Sequence, residues 1–120
     1  MGKIEKLTTF FAGEGIQFDF DNDLILSLGF GYGHYADNRF KEELRPKNLH
    51  VSRERRVETR TAEVAIIRKS DGEFITGKTK CVPKKYVEPG GYVAGWVPVS
   101  EIPNILACVA GKKKSEVKAL

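Results

Sequence analysis

A chain of 120 residues, 41% hydrophobic and 10% aromatic, holds enough apolar material for one core and too little for two. That apolar and aromatic share argues against wholesale disorder, and the chain's 20 Lys and Arg against 16 Asp and Glu give a net charge of +4. No apolar run reaches membrane-spanning length, "MGKIEKLTTFF" lacks the apolar segment of a signal peptide, and Lys6 replaces the Ser or Thr that would follow Met1-Gly2 in a myristoylation site. A cytoplasmic, non-membrane protein is expected.

The charge is uneven. Residues 1–38 carry two Lys against six acids, whereas residues 39–60 carry eight Lys and Arg against four acids. Uneven charge of this kind attracts an anionic partner, or it forms a solvated segment of mixed sign.

At the N-terminal end, "KLTTFFAGEG" reads as a strand that stops at Gly13-Glu14-Gly15. "IQFDFDNDLILSLGF" follows with period two, Ile16, Phe18 and Phe20 on one stripe and Leu24, Leu26, Leu28 and Phe30 on the next. A two-residue loop at Asn22-Asp23 would set the first stripe opposite Ile25, Ser27 and Gly29. A three-residue loop, Asp21-Asn22-Asp23, pairs Phe20 with Leu24, Phe18 with Leu26 and Ile16 with Leu28, and so unites the stripes. It forces Asp23 into the left-handed region, at a cost of about 1 kcal/mol that the buried stripe outweighs. The three-residue loop is predicted.

"FGYGHYADNRF" then sets glycines at alternate positions, Gly29, Gly31 and Gly33, beside Tyr32, His34, Tyr35, Asn38 and Arg39. Residues 36–56 show no clear period, contain Pro46 and many charges, and read as a long charged loop with at most a helical turn at "RFKEEL". "TAEVAIIRKSDGEFITGK" reads as a second hairpin turning at Ser70-Asp71-Gly72. Both faces of "AEVAII" are apolar, which suits a strand in the middle of the sheet.

Pro89-Gly90-Gly91 predicts a turn and "YVAGWV" a short strand. Ser100 is placed as the N-cap of a helix with Pro103 in its first turn and Ile102, Ile105, Leu106 and Val109 on one face. Gly111 ends it, and Lys112 to Lys114 suit its negative end. The fold class is therefore α+β: an antiparallel sheet of four to five strands, in two hairpins, with one C-terminal helix packed on one face. Residues 1–111 form a single domain, and residues 112–120 a basic, disordered tail.

No catalytic set, metal spacing or cofactor motif stands out. Cys81 and Cys108 are far apart and are read as small, unbridged apolar residues. "GFGYG" lacks the third glycine spacing and following helix of a dinucleotide site, and the Lys-Ser/Thr of a phosphate loop. Asp19, Asp21 and Asp23 are accounted for by a polar strand face and a turn. The Gly-aromatic stretch has two readings. Tyr32, His34 and Tyr35 stack on a ligand, with Asn38 beside them and Arg39 on a phosphate, or the glycines lie inside the core beneath a ring such as Trp96. Lys41, Arg45, Lys47, Arg53, Arg55, Arg56 and Arg60 form a basic patch suited to nucleic acid, diluted by Glu42, Glu43, Glu54 and Glu58.

Phe20-Asp21-Asn22, Phe30-Gly31-Tyr32-Gly33, Tyr35, Asn38-Arg39 and Ala62-Glu63-Val64-Ala65, with the closing "GWVPVSEIPNIL", resemble a group of small uncharacterised proteins encoded by bacteriophages and prophages. The match covers about half the chain in pieces. Departures from the group's pattern are Asp23 for Gly, Gly29 for Gln, His34 for Asn, and the basic insert 41–60. The resemblance implies a phage setting and a non-enzymatic accessory protein. Such a protein would bind a host defence protein or sequester a small anionic nucleotide signal, and a homo-oligomer is compatible with it. A nucleic-acid-binding module and a small nucleotide-processing enzyme are the alternatives.

Overall fold

A computed structural model of the chain describes residues 2–10, 15–30, 36 and 59–120. Five strands, β1 (Ile4–Phe10), β2 (Gly15–Phe20), β3 (Leu24–Gly29), β4 (Thr61–Arg68) and β5 (Ala94–Pro98), form one antiparallel sheet in sequential order. Among the described residues three short α-helices accompany it: α1 (Thr76–Thr79), α2 (Ile102–Gly111) and α3 (Lys114–Ala119). The fold is α+β, as the periodicity predicts.

The β2–β3 register is the one that unites the apolar stripes. Phe18 pairs with Leu26 and Ile16 with Leu28. Asp23 takes the left-handed conformation, φ 73°, that the three-residue loop requires. The stripe continues across the next ladder, where Leu26 pairs with Ile66 and Leu28 with Val64. Phe20, Leu24, Leu26, Val64 and Ile66 are buried on this face with Val97 of β5 and Ile105 and Val109 of α2. Each such side chain contributes about 1.5–3 kcal/mol through removal from water. The opposite face carries Gln17, Asp19 and Ser27, none of them buried. β4 is paired on both sides, as its two apolar faces imply.

Four expectations are corrected. The turn at Ser70-Asp71-Gly72 forms, with Gly72 at φ 71° and its N–H donating to the Arg68 carbonyl at 2.8 Å, but no full strand follows. Only Phe74 bridges to Ile67, and α1 begins at Thr76. The Thr76 hydroxyl explains the break. It accepts the Ile66 N–H at 2.9 Å, taking the place of a ladder partner, and donates to the Tyr92 carbonyl at 2.6 Å.

Ser100 is not the N-cap of α2. It lies inside a 3₁₀ turn, Val99–Glu101, and no side chain caps the helix start. Residues 114–119 are not a frayed tail but α3, whose Val117 is 0% exposed. The Lys113 N–H donates to Glu116 Oε1 at 3.0 Å at the start of that helix, and Arg68 Nη1 donates to the Val117 carbonyl at 3.0 Å at its end.

Cys81 and Cys108 are joined in a disulfide, with Cα atoms 5.5 Å apart and a sequence separation of 27. Lys80, left-handed at φ 58°, ends α1 just before Cys81, and the chain then passes beside α2. No spacing rule reads such a pair, because only the packing of α2 on the sheet brings the two sulfurs together.

Candidate functional site

β3 and β4 pair directly from Leu24–Arg68 to Gly29–Glu63, so the whole segment between Phe30 and Thr61 leaves and rejoins the sheet at one end. The ladder is complete without it. Tyr32, His34, Tyr35, Asn38 and Arg39 belong to this segment, as do Lys41, Arg45, Lys47, Arg53, Arg55 and Arg56, and all of them lie outside the described residues. Arg60 is described. Its carbonyl accepts the Val99 N–H at 2.9 Å, which ties the returning chain to the residue after β5. Ala36, within the same segment, is buried.

β5 carries an irregularity at this end of the sheet. Ala62 pairs with Val97 and Val64 with Ala94, so Glu63 alone faces the two residues Gly95 and Trp96. This bulge puts Trp96 at φ 50°, a conformation that costs a bulky residue on the order of 1–3 kcal/mol. The indole is thereby turned outward and is 45% exposed. Glu63 also pairs with Gly29 on its other side, so Gly29, Glu63 and Trp96 lie in one row across three strands. The Trp96 ring is thus not enclosed in the core; Gly31 and Gly33, the other glycines it was expected to cover, lie outside the described residues. Sequence reasoning missed Trp96 as a surface residue. The signal was the glycine before it in "AGWVP", where glycine within a strand marks a bulge.

The opposite end of the sheet is highly charged. A cleft of about 610 Å³ is lined by Glu5, Asp21, Asp23, Lys69, Asp71 and Lys114, among others. Its core is an ion-pair network that holds the fold. Arg68 Nη2 lies 2.8 Å from both Asp71 Oδ2 and Glu73 Oε2. The bond to Arg68, first, then the Glu73 N–H, hold the Asp71 carboxyl below the usual carboxylate range. The Asp71 bond raises the Arg68 guanidinium in turn, against some desolvation. Lys69 Nζ reaches Asp19 Oδ1 at 2.5 Å and Glu5 Oε2 at 3.6 Å. Burial pulls its ammonium down, but the bond to Asp19 and the charges of Asp19 and Glu5 outweigh that and raise it.

Among the described residues no three His, Cys, Asp or Glu side chains converge to hold a metal ion. Among the described residues no helix is long and apolar enough to cross a membrane. No protein-family model, curated protein or solved structure matches the chain.

Proposed function

We propose that this is a non-enzymatic, phage-type accessory binding protein, active in the cytoplasm of a bacterial host in counter-defence. The sheet is the scaffold, and the end bearing Phe30, Arg60 and Trp96 is the binding end. The single observation that carries this reading is Trp96. A large aromatic side chain is held in a strained left-handed bulge, outward, in the row that begins at Gly29, where the Gly-aromatic segment leaves the sheet. Strain of that kind is retained where a surface has a task, and a solvent-facing indole is a common anchor in binding surfaces. Tyr32, His34, Tyr35, Asn38 and Arg39 supply stacking and a phosphate or carboxylate contact from the adjoining segment. The partner is a host defence protein or a small anionic nucleotide signal, as the phage resemblance implies. The Cys81–Cys108 disulfide sets a condition on a cytoplasmic setting, since reducing compartments keep most thiols free.

The test is a pull-down from host lysate, combined with native mass spectrometry of the purified protein. A retained protein or nucleotide that is lost on Trp96→Ala, with the melting temperature little changed, supports the reading. Undiminished capture by Trp96→Ala overturns it. The surplus of four positive charges in residues 39–60 favours a second reading, a nucleic-acid module. That reading requires affinity that falls steeply with salt, and affinity unchanged between low and high salt removes it.

A further inference from the structure

The connection between β4 and β5 builds a second surface that shares no residue with the Trp96 end. α1 and residues 82–91 enclose a groove of about 860 Å³ with Val82, Pro83, Val87 and Pro89 on its walls and Lys80 and Lys84 at its rim. Its frame is tightly held. The Gly77 N–H donates to the Gly91 carbonyl at 3.0 Å, and a Cβ on Gly77 would lie 3.3 Å from the Gly91 Cα. Val87 bridges to Ala94 of β5, and the Cys81–Cys108 disulfide fastens the groove's start to α2. Tyr92, 63% exposed, sets its ring against Gly90 at the groove's edge.

Charge decides what the groove would take. Lys78 is paired with Glu73 at 3.0 Å, and the Lys85 ammonium sits 5.1 Å from the Tyr86 ring centre. Lys80 and Lys84 have no ion pair among the described residues, and Glu88 is the one acid lining the groove. Two exposed ammonium groups thus flank an apolar trough beside an exposed phenol. This is complementary to an acidic chain that carries aliphatic side chains.

We propose that this groove docks a short acidic and leucine-bearing peptide segment of a partner protein, with the aliphatic groups on Val87 and the two prolines and the carboxylates on Lys80 and Lys84. The surface is independent of the Trp96 end, and the two can fail separately.

The test is an amide-resolved NMR titration of the full chain with a capped peptide of alternating Glu, Asp and Leu. Three control probes accompany it: the same peptide with Lys for every acid, the same peptide with Ser for every Leu, and inorganic phosphate. Shifts confined to residues 77–92 are expected with the acidic leucine peptide alone. Lys80→Glu combined with Lys84→Glu should weaken binding by about tenfold or more while leaving the melting temperature unchanged, since both side chains are exposed. Trp96→Ala should leave the titration as it was. Any of four results overturns the proposal: no shifts, shifts centred on Lys112 to Lys114, equal response to the basic peptide, or binding that survives the double reversal. If phosphate alone reproduces the shifts, the groove is a small-anion site and the peptide reading falls.

Discussion

Asn22 sits at the tip of a hairpin turn, where an amide would ordinarily face water, yet it is 4% exposed. Its Nδ2 donates to the carbonyls of Val109 and Lys112, both at 2.9 Å, and so adds a shorter bond to the Val109 carbonyl, which the Lys112 N–H reaches only at 3.3 Å. The Gly2 N–H takes the Ala110 carbonyl beside them. Removal of the amide takes away two hydrogen bonds, at about 0.5–1.5 kcal/mol each. Asn22→Ala should therefore lower the thermal midpoint by several degrees, whereas an ordinary turn residue would tolerate the change. The neighbouring Asp23 gives the opposite expectation. At φ 73° its backbone is strained, and glycine relieves about 1 kcal/mol there. Asp23→Gly should raise the denaturation midpoint, and a lower midpoint would mean that the carboxylate matters more to the fold than the backbone does.

At the scale of elements, two features fasten the helical layer to the sheet. The disulfide closes a span of 27 residues between the β4–β5 connection and α2. In the chain-entropy account a loop of that size contributes about 3–4 kcal/mol. Reduction, or Cys81→Ala with Cys108→Ala, should lower the melting temperature by roughly 10 °C. An unchanged melting curve would show the two sulfurs unlinked in solution. The other feature is α3. Val117 is fully buried and its carbonyl is held by Arg68, so Val117→Ala should cost about 2 kcal/mol. A disordered tail would lose nothing, and chemical denaturation distinguishes the two outcomes. Sequence periodicity could not reveal α3, because six residues with one buried position make no repeating stripe.

Across the whole molecule, the charged end of the sheet links stability to pH in two directions. The Asp71 carboxyl lies below the usual carboxylate range in the folded chain, with Arg68 the main cause. Its contribution is present above the unfolded carboxylate value and is lost as pH falls through the lower, folded value. Lys69 is raised by Asp19 and Glu5 against its burial. Its contribution is present below the unfolded lysine value and is lost as pH rises through the higher, folded one. Stability should thus fall at both acid and alkaline extremes. In Asp71→Asn the acid limb should flatten relative to the wild type, as read by melting temperatures between about pH 7 and about pH 3. Parallel acid limbs would remove Asp71 from the account.

What the sequence by itself determined is the local and the periodic. The alternation in "IQFDFDNDLILSLGF" required strands, and the need to keep both stripes on one face selected the Asp21-Asn22-Asp23 turn with its left-handed residue. The four apolar positions of α2 likewise foretold which face meets the sheet. These signals lie within a few residues of one another, so the covalent chain carries them. The tertiary structure alone decided the Asn22 cap, whose partners are 87 and 90 residues away, and the Arg68–Val117 bond across 49. It also decided the pairing of Cys81 with Cys108 and the outward turn of Trp96. Each of these depends on which surfaces meet once the sheet has closed, and no spacing along the chain records that meeting.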